Sequence, residues 1–228
     1  MSKTSTSSGT ADISTMTSST MTGITSGATG IGTGGRGNTA TRKIAVFCGS
    51  RPGVGAEHVT LAHDFGEAMA ARGSGLVYGA GGTGVMDAVA RGVLRGGASV
   101  TGVVPYDLRE REKSFEVQGE VFVVRNMHER KALMYRLSDA FAVLPGGIGT
   151  LEELMEVATW NQLGFHRKPL VLVNRDGFYD PLVRLLDHLV EQGFLAPDER
   201  SLIHETPDVQ HALDLLGCRR ARVATLTD

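Results

Sequence analysis

Three times along this chain a short apolar run leads into a glycine-rich turn, and residues at helical spacing follow it. The turns cover residues 49–55, 79–84 and 145–149. Buried strands that alternate with helices through short connections form parallel sheets with helices on both faces. The repeat therefore predicts an α/β fold with a single doubly wound, Rossmann-like parallel sheet. In such sheets ligands bind beyond the carboxyl ends of the strands, which is where all three turns fall.

The hydrophobic periodicity predicts six strands and six helices. The predicted strands cover residues 43–48, 75–78, 99–104, 121–124, 140–144 and 170–173. The predicted helices cover residues 57–71, 85–94, 126–137, 181–191 and 208–216, and another begins near Thr150. The charged segment 107–116 is predicted to be irregular or a short helical excursion. We expect Pro105 to stop the third strand and Pro181 to be the first residue of its helix.

The first 41 residues differ in composition from the rest of the chain. Ser, Thr and Gly occupy 28 of these positions, and Lys3, Asp12 and Arg36 are the only charged residues among them. Such a segment buries too little apolar surface to offset the entropy that it loses on ordering. We therefore predict a disordered tail over residues 1–41 and one folded domain over residues 42–228. The alternative, a transit peptide, is disfavoured by the scarcity of arginine.

The chain as a whole is close to neutral, with 23 basic and 25 acidic residues. This balance lacks the positive charge that binds nucleic acids or anionic membranes, so neither is expected as a partner. Cys48 and Cys218 have no zinc or CxxC spacing, no signal-peptide core follows Met1, and no apolar run is long enough to cross a bilayer. We expect a reduced, cytoplasmic protein that holds no metal and no cofactor.

The third glycine turn belongs to the sequence PGGIGTLEE at residues 145–153. Its glycines let the backbone approach a ligand, and the helix that follows directs N–H groups and the positive end of its dipole at the same point. This geometry suits a phosphate. Glu152 and Glu153 would repel a phosphate unless cations lie close by. Alternatively, Glu153 forms a capping box with Thr150, which would give this carboxylate a structural role.

The preceding predicted helix offers such cations. Asn126 is expected to cap it, and Met127, Arg130 and Met134 share one stripe at spacings i, i+3 and i+7. Arg130 at the edge of a core would extend to water, but the glycine turn that begins 15 residues later favours a shared site. Lys131 follows directly and adds a second positive charge.

The first two turns carry further candidates. Ser50 and Arg51, on the first turn, could reach a phosphate or a base, although turn formation explains them equally well. Gly79, Gly81 and Gly84 form a G-x-G-x-x-G pattern. This pattern binds dinucleotides when it follows the first strand of its unit, whereas here an earlier strand and turn precede it. NAD(P) binding is therefore a minor alternative.

Four segments together resemble the LONELY GUY (LOG) family of cytokinin riboside 5′-monophosphate phosphoribohydrolases, which are often mislabelled as lysine decarboxylases. The segments are GGTGVM at residues 81–86, MHERK at 127–131, PGGIGTLEE at 145–153 and TWNQLGFH at 159–166. The resemblance covers about residues 43–195, and the pair of motifs PGGxGTxEE and MHxRK is specific. Nothing in the sequence suggests pyridoxal chemistry, so the decarboxylase label is set aside.

The resemblance implies hydrolysis of the N-glycosidic bond of an N6-substituted adenosine 5′-monophosphate, which releases a cytokinin or adenine and ribose 5-phosphate. It implies that Arg130 and Glu153 are catalytic. The residues that match the family's substrate-binding set are Lys131, Gly146, Gly147, Gly149, Thr150, Glu152, Thr159, Met127 and Glu112. Ser50 is added to this set because of its place on the first turn. A homodimer is also implied, with residues 159–166 close to both the partner and the site.

Elementary chemistry is consistent with these roles. Cleavage of a purine from ribose passes through an oxocarbenium-like state. The Glu153 carboxylate would stabilise its positive charge and activate water, while the Arg130 guanidinium would neutralise the leaving base. The phosphate, remote from the reacting bond, would supply binding energy for orientation.

A second hypothesis uses the same fold without catalysis. Molybdenum-cofactor carrier proteins are related to this family, so a non-catalytic nucleotide or cofactor carrier is possible on the fold alone. The presence of both Arg130 and Glu153 in their motifs favours the enzyme.

Overall fold

The computed structural model describes residues 41–111 and 118–219, so the predicted tail, apart from Thr41, lies outside the described residues. The strands, which all pair in parallel, are β1 (Lys43–Phe47), β2 (Gly75–Tyr78), β3 (Val100–Pro105), β4 (Glu120–Val124), β5 (Ala140–Val143), β6 (Leu170–Val173) and β7 (Ile203–Thr206). The helices are α1 (Glu57–Ala71), α2 (Gly84–Arg95), α3 (Tyr106–Arg111), α4 (Met127–Leu137), α5 (Ile148–Gln162), α6 (Asp180–Glu191), α7 (Pro197–Arg200) and α8 (Val209–Leu215), and a 3₁₀ turn covers Arg175–Gly177. Among the described helices, none combines the length and apolar character needed to span a membrane.

The strand order β4-β3-β2-β1-β5-β6-β7 decides where a ligand can bind. From β1 the chain builds outward to β4 and then returns to the other side of β1 with β5. The carboxyl ends of β1 and β5 therefore border the crevice at which the order reverses, the usual ligand site of a doubly wound sheet. The predicted Rossmann-like sheet is confirmed.

Successive buried residues of the five inner strands pack into two different cores, as the two-residue period of a strand requires. On one face of the sheet, Ile44 and Leu76 pack in the core that includes buried residues of α1, α2 and α8. On the other face, Ala45 and Phe141 pack with residues of α4, α5 and α6. Both faces of the sheet are covered, which explains why the central strands consist of continuous apolar runs.

The start of α5 is the deviation from prediction that matters most for the site. The helix begins at Ile148, and its N-cap is Gly147, which has extended backbone angles. Thr150 is a buried residue of the first helical turn, not a cap. The hypothesis that Thr150 and Glu153 form a capping box is therefore wrong, because the glycine turn enters the helix two residues earlier than the apolar spacing indicates.

The other predicted boundaries agree with the structure to within two residues. Pro105 is the last residue of β3 and Pro181 the second residue of α6, each one position from its predicted place, because a missing N–H is tolerated at a strand end and in a first helical turn. The sequence pattern does not predict α7 or β7. Only Ile203 and Thr206 are buried in β7, so this edge strand is too short and too polar for its period to be recognised.

Candidate active site

The three glycine turns meet at one edge of the sheet, where hydrogen bonds hold them together. The Gly49 N–H donates to the Pro145 carbonyl at 3.0 Å, and the Met86 N–H donates to the Gly49 carbonyl at 3.0 Å. The Thr83 hydroxyl donates to the Ser50 carbonyl at 2.9 Å. The first turn thus joins the other two beside the crevice between β1 and β5.

The glycines of the third turn have two different roles. A Cβ atom at Gly146 would lie 2.1 Å from Thr150 Oγ1 and 2.8 Å from the Gly49 nitrogen, so this glycine is required for packing. A Cβ at Gly147 or Gly149 would meet nothing within 4 Å, and both residues are exposed. The N-terminus of α5 therefore presents open backbone, with its positive dipole end, to an incoming anion.

Arg130, on α4, extends across the carboxyl ends of β2 and β3. Its Nε donates to the Val103 carbonyl at 3.1 Å, and its Nη2 donates to the Gly79 carbonyl at 3.3 Å. Its Nη1 lies 3.3 Å from Met127 Sδ and 3.6 Å from Glu153 Oε1. The side chain is 12% exposed, so the guanidinium is buried at the sheet edge and does not extend to water.

Glu153 on α5 is the buried carboxylate that faces this guanidinium, with 10% of its side chain exposed. Burial raises the pKa of Glu153 to about 7, an effect that Arg130 opposes and Glu152 reinforces. A carboxyl group with this pKa can accept and release protons at neutral pH, as a general base or acid must. Burial combined with a specific charged partner is typical of functional carboxylates.

Lys131 is engaged by two other carboxylates of α5. Its Nζ lies 2.5 Å from Glu152 Oε1 and 3.0 Å from Glu156 Oε1. The hydrogen bond to Glu152 is the main cause that raises the pKa of Lys131, which is 14% exposed. The positive charge of Lys131 therefore neutralises part of the negative charge of Glu152 and Glu156. This reduces the repulsion that these carboxylates would exert on a phosphate at the glycine turn.

The remaining predicted site residues lie at different distances from this centre. Met127 is half-exposed and contacts the guanidinium, while Ser50 is exposed on the first turn. Thr159 lies 11 residues after Ile148, which is about 16 Å along α5, and so is remote from the turn of its own chain. Glu112 lies outside the described residues.

The structure also places residues here that the sequence patterns do not single out. Glu152 and Glu156 both contact Lys131. Their spacing of four residues places them on the same face of α5, so the sequence could have indicated that Glu156 also faces the site. The Cys48 thiol is buried at the end of β1, where burial and then the charge of Glu153 raise its pKa. The Tyr179 hydroxyl donates to the Leu144 carbonyl at 2.7 Å and so supports the start of the third turn.

Similar proteins are known. A family model described as "Possible lysine decarboxylase" matches residues 86–216. The chain is 50% identical over 166 residues to the cytokinin riboside 5′-monophosphate phosphoribohydrolase LOG of Oryza sativa subsp. japonica, which covers 73% of this chain and 69% of the relative. It is 46% identical over 175 residues to the cytokinin riboside 5′-monophosphate phosphoribohydrolase LOG3 of Arabidopsis thaliana, which covers 77% of this chain and 81% of the relative.

Among solved structures, the fold is similar to that of the Moco carrier protein from Chlamydomonas reinhardtii. The TM-score is 0.57, and the match covers 78% of this chain and 99% of that chain. The two sequences are 20% identical, so the similarity concerns the fold alone.

Proposed function

Because the chain belongs to the LOG family of cytokinin riboside 5′-monophosphate phosphoribohydrolases, we propose that it hydrolyses the N-glycosidic bond of N6-substituted adenosine 5′-monophosphates. The products are the free base, a cytokinin or adenine, and ribose 5-phosphate. The observation that carries the proposal is the buried pair Arg130–Glu153, 3.6 Å apart, at the sheet edge that also presents the open third glycine turn. One end of a nucleotide thus meets an anion site and the other meets acid–base groups.

The reaction assigns one task to each member of the pair. As the bond between C1′ and the base breaks, its electron pair leaves with the base, and positive charge develops on the ribose. The ionised Glu153 carboxylate stabilises this charge and takes a proton from the water that adds its hydroxyl to C1′. Arg130 stabilises the negative charge that develops on the leaving base. The base then takes up one proton from the solvent, to which Glu153 returns the proton that it accepted from the water, so the carboxylate is regenerated.

The proposal is tested by incubating the protein with AMP and with N6-isopentenyladenosine 5′-monophosphate. Release of free base together with an equal amount of ribose 5-phosphate supports the hydrolase. Binding of the nucleotides without turnover would instead support the alternative of a non-catalytic carrier, which rests on the similarity of fold alone. Binding of NAD(P) with neither nucleotide bound or cleaved would support the dinucleotide alternative.

The rate of hydrolysis should depend on pH through Glu153. Its carboxylate must be ionised to accept a proton, and its pKa is raised to about 7. The value of kcat/KM should therefore fall about tenfold for each pH unit below about 7, and it should level off above that pH. Measuring kcat/KM from pH 5.5 to 9 tests this. A rate that is constant from pH 5.5 to 8 would contradict the role of Glu153 as the base.

Binding of the phosphate at the third turn predicts that alanine at Gly147 or Gly149 impairs substrate binding but not folding. A Cβ at either position meets no protein atom within 4 Å, so stability should be retained. The added methyl groups would enter the space of the phosphate, and KM should rise about tenfold, equivalent to about 1.4 kcal/mol of lost binding. Steady-state kinetics and thermal melting measure the two effects.

Product inhibition localises this effect to the phosphate. In the same two variants the inhibition constant of ribose 5-phosphate should rise by the same factor, whereas that of free adenine should not change. Gly146→Ala provides a contrast, because its Cβ would collide with the backbone of Gly49 and should lower the melting temperature. Unchanged KM in both Gly147→Ala and Gly149→Ala would place the phosphate elsewhere.

The proposal includes a homodimer, which the family resemblance implies. Leu163 and Phe165, at the end of α5, are 60% and 73% exposed, and large exposed apolar side chains in one place are typical of an interface. A partner that covers this surface would bring the TWNQLGFH segment close to a second molecule. This would give Thr159, which is remote from its own turn, a site in the partner.

Phe165→Glu should convert the dimer to a monomer, because burying a carboxylate in an apolar interface is costly. Light scattering after size-exclusion chromatography measures the mass. Phe194→Glu is the matched control. Phe194 is also a phenylalanine with a largely exposed side chain, at 82%, but it follows α6 and does not belong to the TWNQLGFH segment, so this variant should remain a dimer. If the unmodified chain is a monomer at micromolar concentration, this part of the proposal fails.

A further inference from the structure

The glycines of the G-x-G-x-x-G pattern have different neighbours. A Cβ atom added at Gly79 would lie 1.8 Å from Arg130 Nη2 and 3.0 Å from its Cζ. One added at Gly81 would lie 2.7 Å from Met86 Sδ. Gly84 has a positive φ and packs against the backbone of the first turn. Of these three positions, Gly79 is the one that borders the proposed catalytic pair.

We propose that Gly79 is a positioning residue for the hydrolysis: its missing side chain leaves the slot in which the Arg130 guanidinium lies and from which it reaches Glu153. The proposal rests on the function assigned to Arg130 above. It also explains the glycine pattern without a dinucleotide, because the space beside the first glycine is filled by a side chain of the protein itself.

The slot fixes the guanidinium from several sides. The carbonyls of Gly79 and Val103, at the ends of two neighbouring strands, accept hydrogen bonds from Nη2 and Nε. The Met127 sulfur lies against Nη1, the same nitrogen that is 3.6 Å from Glu153. A rotation that removed Nη2 from the slot would break the bond to Gly79 and change the direction of Nη1 as well, since the guanidinium is planar and rigid.

An alanine at position 79 should be accommodated by movement of Arg130 and not of the backbone. Gly79 does not have a positive φ, so its conformation is open to any residue. The colliding atoms belong to the far end of a long, flexible side chain. The substitution is therefore expected to displace the arginine while the sheet edge keeps its structure.

The principal test compares Gly79→Ala with Gly81→Ala, the same substitution two residues away in the same turn. Gly79→Ala should lower kcat/KM for N6-isopentenyladenosine 5′-monophosphate about 10²-fold, the effect expected of a catalytic group displaced by about 1 Å. Gly81→Ala, which meets Met86, should stay within a few-fold of the parent. Circular dichroism and thermal melting check that both variants are folded at the assay temperature.

A double-mutant cycle separates positioning from a general structural effect. Lysine has no Nη2 to collide with a Cβ, so Gly79→Ala should cost little activity when it is added to Arg130→Lys. In Gly79→Ala alone, the low-pH limb of kcat/KM should move to higher pH, because Glu153 loses the neighbouring positive charge that favours its ionised form. If Gly79→Ala caused only a general structural defect, it would cost as much activity in the Arg130→Lys background as in the parent. The low-pH limb would also keep its position.

Two results would overturn the inference. One is a Gly79→Ala variant with the kcat/KM of the parent. The other is a double variant whose loss equals the product of the two single losses, which would mean that the residues act independently. Either result leaves the proposed function intact if Arg130→Ala is inactive, whereas an active Arg130→Ala variant would count against the proposed function itself.

Discussion

Glu153→Gln should lower kcat by about 10²- to 10⁴-fold, the range expected when a general base is removed. Glutamine keeps the size of the side chain and its contact with Arg130, but it can neither accept a proton from water nor offer a full negative charge to the ribose. The release of free base from N6-isopentenyladenosine 5′-monophosphate measures the loss. The surface variant Glu191→Gln on α6, whose side chain is 73% exposed, is the control and should be fully active.

The same variant should be more stable than the parent at high pH. The pKa of Glu153 is raised from 4.5 to about 7 in the folded protein, so the folded state holds this proton more tightly than the unfolded state. As pH rises from 4.5 to 7, the parent therefore loses stability through this group, and above pH 7 the full cost is about 3 kcal/mol. Glutamine does not ionise and avoids that cost.

Urea unfolding at pH 5 and pH 8.5 measures this difference. The free energy of unfolding of Glu153→Gln minus that of the parent should increase by about 2.5 kcal/mol between the two pH values, most of it between pH 5 and 7. The change with pH is the informative quantity, since the constant packing effect of the substitution cancels. A difference that does not vary with pH would show that Glu153 ionises with its ordinary pKa.

Arg130→Ala should lower kcat by about 10²- to 10³-fold, as removal of a fixed group that stabilises transition-state charge does. It should also destabilise the protein, because the carbonyls of Gly79 and Val103 lose their donor and Glu153 loses its buried partner. The loss of stability should be larger at pH 8.5 than at pH 5, where the Glu153 carboxyl is protonated and carries no charge.

Arg125→Ala is the matched control for this variant. Arg125 lies five residues earlier, 89% of its side chain is exposed, and it pairs with Glu129 at the surface. Its removal should leave both stability and activity close to those of the parent, because an exposed ion pair is screened by solvent. If Arg130→Ala releases base at close to the rate of the parent, Arg130 is not the group that neutralises the leaving base.

The sequence by itself determined the class of fold and the segments that form the site. Short apolar strands that alternate with helices form a parallel sheet that is covered by helices on both faces. In such a sheet every turn that follows a strand lies at the carboxyl edge. The motifs at residues 127–131 and 145–153 indicated the family, which the similarity to LOG of Oryza sativa subsp. japonica confirms. Local pattern was sufficient because these features depend on neighbours in the chain.

Only the tertiary structure decided which side chains are buried and which charged groups face each other. The capping box of Thr150 and Glu153 is allowed by sequence spacing, but α5 begins at Ile148, and Glu153 is buried against Arg130 instead. That contact joins residues 23 positions apart on different helices, and no local pattern encodes it. Likewise, Gly79 and Arg130 are separated by 51 residues, and their contact exists because strand order brings β2 beneath the arginine of α4. Burial and partner charge are properties of the assembled sheet edge, which is why the raised pKa of Glu153 could not be derived from the chain alone.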